Sequence, residues 1–162
     1  MITAAAGDPT AELLAGWLRA RLNLTPTRQT GGDGVAATGL RLANGLAREL
    51  AGLGVTRGDV VPLLLGNSLE LPVSMLALLK LGAAAVPLDE KWPDRRLAAA
   101  LDVLDPPLTI TTGAPVPRGK ELPVRVASVV ETGERPGVPV GPADLAYGVF
   151  TSGTTGTPRC AL

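Results

Sequence analysis

Residues 147–159 read Tyr147-Gly148-Val149-Phe150-Thr151-Ser152-Gly153-Thr154-Thr155-Gly156-Thr157-Pro158-Arg159, a short apolar run opening into a loop closed by a proline and a cation. Between Thr151 and Thr157 lie five hydroxyls and two glycines. Gly153 and Gly156 let the backbone approach a ligand closely, which branched residues do not do cheaply. Successive backbone N–H groups turned to one side form an anion-binding concavity, and the hydroxyls add donors. Arg159 would supply the charge. The composition alone also suits a Thr/Gly-rich hairpin turn. The order of the residues and their context favour a phosphate cradle.

Other nucleotide motifs fit the chain less well. Gly148 and Gly153 have the spacing of a Walker loop, but Thr154 and Thr155 follow where Lys and Ser/Thr are needed. Gly32-Asp33-Gly34-Val35-Ala36-Ala37 has the form of a dinucleotide fingerprint, yet the polar residues 25–30 precede it instead of an apolar strand.

The order in residues 144–159, Asp144-Leu145-Ala146-Tyr147 and then the loop, resembles the phosphate-binding signature of the adenylate-forming (AMP-binding) superfamily. Its members include acyl-CoA synthetases, luciferases and the adenylation domains of nonribosomal peptide synthetases. Two positions depart from the signature: Arg159 stands where the family usually has Lys, and Cys160 where it usually has Gly. Arg keeps the positive charge as a planar fork in place of a compact point charge. Cys160 puts a side chain where none is usual. A second stretch, residues 79–97, contains Leu79-Lys80-Leu81-Gly82, Val86-Pro87-Leu88-Asp89 and Pro93-Asp94-Arg95-Arg96-Leu97. It resembles a further superfamily motif, most nearly in its peptide-synthetase form. Two motifs in the family's order are stronger than either alone.

The resemblance implies an α/β fold, a layered and largely parallel sheet flanked by helices, as in the N-terminal subdomain of adenylate-forming enzymes but incomplete. It implies that Thr151, Ser152, Gly153, Thr154, Thr155, Gly156, Thr157 and Arg159 hold the ATP phosphates. The implied reaction joins a carboxylic acid, an amino acid in the favoured reading, to the α-phosphate of ATP and expels pyrophosphate. Mg2+ is implied, although the residue that binds it lies downstream in the family, as do the acyl pocket, the adenine contacts and the catalytic lysine. Residues 1–162 are accordingly expected to be a partial adenylation domain, without activity alone, and the apolar Cys160-Ala161-Leu162 stops where a further strand is expected. Truncation, an incomplete reading frame or a split gene would each give such a chain. Expected partners are ATP and a carboxylic acid, with the missing C-terminal half or a carrier protein as a further one. The alternative is a non-catalytic remnant or partner-binding half that binds phosphate or a protein.

Composition sets the outer limits. With 162 residues, 46% of them hydrophobic and 2% aromatic, the chain allows one domain whose core is built from Leu, Val and Ala. Fifteen basic and fifteen acidic residues cancel, without runs of like charge, so neither nucleic acid nor an anionic membrane is an expected partner. The chain has no His, and its single Cys excludes both an internal disulfide and a cysteine zinc site. A reducing compartment, the cytoplasm, follows as the expectation. Residues 1–9 have neither a basic leader nor a long apolar core, so they do not read as a secretory signal. The most apolar stretch, residues 71–88, is interrupted by Pro72, Lys80, Gly82 and Pro87 and reads as a buried helix and strand, not a membrane span.

Taken in order, helical and strand patterns alternate. Leu13, Leu14, Trp17, Leu18 and Leu22 recur at helical spacing over residues 10–22, and residues 23–34 read as a loop, so residues 1–34 are expected to be an N-terminal helix and loop, degenerate relative to the family the chain resembles. Leu40, Ala43, Ala47 and Leu50 mark a helix over 35–53. Residues 60–65 are a continuous apolar run, a strand covered on both faces, in which Pro62 predicts an edge position or a ladder interruption. Ser68 is expected to cap a helix reaching Leu81, with Pro72 in its first turn and Met75 as core filler. Gly82 ends that helix; a small-residue strand covers 83–88, and Pro93 starts a helix to Leu104. Asp89, Glu90 and Asp94 have the chemistry of a metal or acid/base cluster, but solvated loop and helix-start charges are the preferred reading. Residues 108–112 and 124–130 read as strands between Gly/Pro-rich surface loops over 113–123 and 131–142. Residues 144–150 are the strand that delivers the loop, within the phosphate-binding strand-loop of 144–162. In such sheets ligands gather at the carboxyl ends of the strands.

Overall fold

In the computed structural model, residues 35–151 and 159–162 are described. The chain divides into the units Met1–Gly39 and Leu40–Leu162. The readings made for residues 1–34 lie outside the described residues.

Helix α1, Val35–Gly52, presents Leu42, Ala43, Leu46, Ala47 and Leu50 as one buried stripe. Strand β1, Val60–Leu64, follows, then α2, Glu70–Leu81, and β2, Ala84–Pro87. Next come α3, Asp94–Leu104, β3, Thr109–Thr111, and β4, Glu121–Pro123. These four strands form one parallel sheet in the order β2-β1-β3-β4. From β1 the chain moves to one neighbour through α2 and then to the other through α3. Right-handed crossovers in opposite directions along a sheet put their helices on opposite faces. Two cores result. Val61, Leu63 and Leu65 alternate onto the first, with α1, α2, Ala83, Ala85 and Ile110. Leu64, Val86 and Leu88 face the second, with Leu97 and Leu101 of α3. A fully buried leucine of this kind contributes about 2 kcal/mol.

Gly82 closes α2 in the left-handed region, φ 68°, and its N–H donates to the carbonyls of Leu78 and Leu79. Other local expectations are corrected. Pro62 is buried in a central strand, not at an edge. The Asp59 and Leu63 carbonyls accept from Ala84 and Leu88, so the nitrogen of Pro62 turns toward β3, where pairing begins only at Leu63↔Ile110. It interrupts one ladder and leaves the other whole. Ser68 does not cap α2 through its side chain: Leu69 holds the cap position without a side-chain bond, and the Ser68 carbonyl accepts from the Leu71 N–H at 3.4 Å.

Residues 124–130 are not a strand. The fourth strand lies at Glu121–Pro123, held by Thr109 N–H to the Lys120 carbonyl and Val124 N–H to the Thr111 carbonyl, both at 2.8 Å. Val126–Ser128 then form a 3₁₀ turn. Val126 and Val129, three apart, both pack on the first core, and three is the repeat of that helix. Residues 131–134 are likewise strapped to α1. Asn44 Nδ2 donates to the Thr132 carbonyl at 3.0 Å, Thr132 N–H donates to the Arg41 carbonyl at 3.2 Å, and Arg41 and Arg48 pair with Glu131 and Glu134. A Cβ on Gly45 would run into the Val130 carbonyl oxygen, so the strap crosses the helix where the side chain is missing.

Candidate phosphate-binding hairpin

Residues 144–150 are expected to be one strand, but only part of the segment pairs. Ala85 donates its N–H to the Ala146 carbonyl at 3.2 Å and accepts from the Gly148 N–H at 2.9 Å, a parallel bridge between Ala85 and Tyr147. The entering segment therefore runs beside β2 in the direction of the sheet and leaves it past the carboxyl edge. Regular pairing resumes in β5, Val149–Thr151, opposite β6, Arg159–Ala161.

Thr151 and Arg159 are directly opposed across this antiparallel stem, and the Thr151 hydroxyl donates a long bond, 3.5 Å, to the Arg159 carbonyl. Both residues are exposed, and among the described residues Arg159 makes no ion pair. The structure thus brings together the first and last residues of the expected cradle. Ser152, Gly153, Thr154, Thr155, Gly156 and Thr157 lie outside the described residues.

Cys160 belongs to β6, opposite Phe150, and not to an open turn. Its thiol and the Phe150 ring pack on the second core, and burial pushes the thiol pKa up. Gly148 makes room for this arrangement. A Cβ there would meet Leu162 at 2.7 Å, Val86 at 2.8 Å and Cys160 Sγ at 3.1 Å.

Two contacts at the stem are not legible as site features in the sequence. Trp92 meets Phe150 edge to face, with centroids 6.0 Å apart and planes at 80°, and the Arg96 guanidinium lies 3.9 Å above the Trp92 centroid. Upstream, Asp144 Oδ1 accepts from Arg57 Nε at 2.8 Å and Nη2 at 2.6 Å, while Oδ2 accepts from the Gly141 N–H at 2.8 Å. The Gly141 N–H and then Arg57 hold this carboxyl below its usual range. The one available signal was position: Trp92 and Asp144 each stand inside one of the two motif stretches.

Asp89, Glu90 and Asp94 do not converge. Asp89 accepts from the Lys91 N–H at 2.9 Å, the Glu90 carboxylate lies over Gly66, and Asp94 sits in the first turn of α3. Among the described residues no group of three His, Cys, Asp or Glu could hold a metal ion. No helix among them is long and apolar enough to cross a membrane.

The AMP-binding enzyme family matches residues 39–162. The chain belongs to that family. Nonribosomal peptide synthetase 9 of Aspergillus fumigatus is 36% identical over 138 residues, covering 81% of this chain and 12% of the synthetase. The Klebsiella oxytoca NpsA N-terminal subdomain, solved in complex with 3-hydroxybenzoyl-AMSN, superposes with a TM-score of 0.66 at 29% identity over 76% of this chain and 33% of that one. NpsA-ThdA, an artificially fused adenylation–PCP di-domain from Klebsiella oxytoca, gives 0.65 at 32% identity over 75% of this chain and 25% of that one. This AMP-binding chain is thus similar to nonribosomal peptide synthetases and spans a small part of their length.

Proposed function

We propose that this chain supplies the phosphate-gripping wall of the ATP site in an adenylate-forming ligase, which activates a carboxylic acid, an amino acid in the favoured reading, and releases pyrophosphate. The observation that carries the reading is the stem itself: Thr151 and Arg159 are opposed at the carboxyl edge of a parallel sheet, where such folds bind ligands. In this reading Thr151, Ser152, Thr154, Thr155 and Thr157 donate to the β- and γ-phosphates, and Gly153 and Gly156 admit the backbone. Arg159 neutralises charge. Phosphoryl chemistry leaves the protein little covalent work, so positioning and charge stabilisation are what a gripping loop contributes. Thr151 and Arg159 offer a donor and a cation, a set suited to phosphate oxygens and unsuited to Mg2+, so the ion's ligand is assigned to another part of the ligase. The NpsA complex supports an acyl substrate of carboxylic-acid origin, and the adenylation–PCP fusion supports a carrier protein as partner.

The complete reaction belongs in this reading to a longer protein, and residues 1–162 alone are expected to show no ATP–pyrophosphate exchange. Joined to the remaining two thirds of a peptide-synthetase adenylation subdomain and its C-terminal domain, the chain should support exchange that Thr154→Ala/Thr155→Ala abolishes. Exchange unaffected by the double substitution would sink the reading.

A second reading, a non-catalytic half that binds a protein, draws on Leu145, Tyr147 and Val149, alternate residues that are 40–46% exposed along the entering segment. Concentration-dependent self-association in sedimentation, with no affinity for ATP, would favour it.

A further inference from the structure

The β5–β6 hairpin is a separate two-stranded sheet, three residues on each side. Among the described residues, its main-chain link to the four-stranded sheet is the Ala85↔Tyr147 bridge upstream. Two short strands alone are marginal, so the hairpin's direction must come from side-chain packing. Phe150 and Cys160 supply it from their shared face. Most of what they meet is aliphatic and tolerant of angle. Trp92 is the exception, because an edge-to-face aromatic contact is favourable over a limited range of geometry.

Trp92 is itself held. Its main-chain N–H donates to the Asp89 carbonyl at 3.0 Å, α3 starts two residues later, and Arg96 from the first turn of that helix stacks on the indole.

We propose that Trp92 is a positioning residue for the hairpin: through Phe150 it sets the direction in which Thr151 and Arg159 leave the sheet, and so the affinity of that end for a polyphosphate. The affinity part rests on the reading of Thr151 and Arg159 as phosphate-binding groups.

The test uses the full chain as wild type, Trp92→Ala, Trp92→Phe and Arg96→Gln. Leu50→Ala, which opens the first core in α1, serves as a control for general loss of stability. Two quantities are measured: affinity for inorganic tripolyphosphate by calorimetry, and amide hydrogen exchange of residues 149–151 and 159–161. Trp92→Ala should weaken tripolyphosphate about tenfold and speed exchange in the hairpin. Trp92→Phe should recover most of both, Arg96→Gln should fall between, and Leu50→Ala should leave affinity unchanged.

Unchanged hairpin exchange in Trp92→Ala overturns the positioning role whether or not tripolyphosphate binds. Faster exchange with unchanged affinity overturns its consequence for binding. Equal effects in Leu50→Ala reduce Trp92 to a general contributor to stability. If the wild type has no affinity for tripolyphosphate, the phosphate reading fails together with the affinity part, and the exchange data alone decide whether Trp92 orients the hairpin.

Discussion

Arg57 and Asp144 are joined by two hydrogen bonds, at 2.8 and 2.6 Å, from a turn before the first strand to the segment that leads into the hairpin. The pair sits over Gly82. A Cβ on that glycine would lie 2.9 Å from Arg57 Cγ and 3.5 Å from Asp144 Oδ2, so the end of α2, the start of β1 and the approach to the hairpin meet where a side chain is missing. Arg57 is half exposed while Asp144 is 12% exposed, so the carboxylate is the fixed member.

This arrangement predicts an acid-sensitive anchor. The folded-state pKa of Asp144 is lowered by the Gly141 N–H and then by Arg57. A depressed carboxyl contributes stability above its unfolded value, about 3.9, and loses it as pH falls through the folded value. Asp144→Asn should therefore be less stable than wild type at neutral pH, and the gap should close on acidification below about pH 4. Denaturant titrations from neutral pH downward measure it. A gap that stays constant would show that the charge is irrelevant.

Gly45 predicts a reversal of the usual helix rule. Alanine in place of a helical glycine ordinarily stabilises by about 1 kcal/mol. Here the added methyl would run into the Val130 main-chain oxygen, which has no flexible end to move aside. Gly45→Ala should instead cost about 1 to 3 kcal/mol, the range of overpacking. It should also open residues 129–134 to limited proteolysis. A raised melting temperature would refute the close crossing.

Gly148 faces a mixed set of neighbours. Leu162 is more than half exposed and can move away, whereas Val86 is fully buried in β2. Gly148→Ala should thus cost about 1 to 2 kcal/mol in chemical denaturation, near the low end of overpacking. A Leu162→Ala background should relieve little of it, because Val86 remains. Full rescue by Leu162→Ala would place the clash at the wrong neighbour.

Cys160 should be a slow nucleophile. The thiolate is the reactive form, and burial raises this thiol's pKa. Alkylation by iodoacetamide at neutral pH should be slower than in the denatured chain, with a midpoint above the ordinary thiol value of about 8.5. Rapid alkylation with a midpoint at or below that value would contradict its packing against Phe150 and the second core.

Much of the architecture was legible because it rests on local chemistry. The stripe of Ala43, Ala47 and Leu50, which is buried although Leu40 at its start is exposed, the unbroken run at residues 60–65 and the breaks at Gly82 and Pro93 state helix, buried strand and boundary in their own residue types. Alternation of those elements implies parallel pairing, which the sheet has. Where reading failed, the deciding partner was distant in sequence. Val124 to Val130 has strand-forming residues, but β3 pairs with Glu121–Pro123, and the valines are drawn into the first core as a 3₁₀ turn. Pro62 suggests an edge until the register shows that only one side of a central strand needs its missing donor.

By itself, then, the sequence determined the α/β class, the family and the candidate phosphate-binding residues, because spacing and residue type within one stretch carry that information. Tertiary structure alone decided how the stem of that stretch is aimed. Trp92 against Phe150, Asp144 against Arg57 and Gly148 against Val86 are contacts between segments far apart in the chain, and their energy exists only once the sheet has brought those segments together.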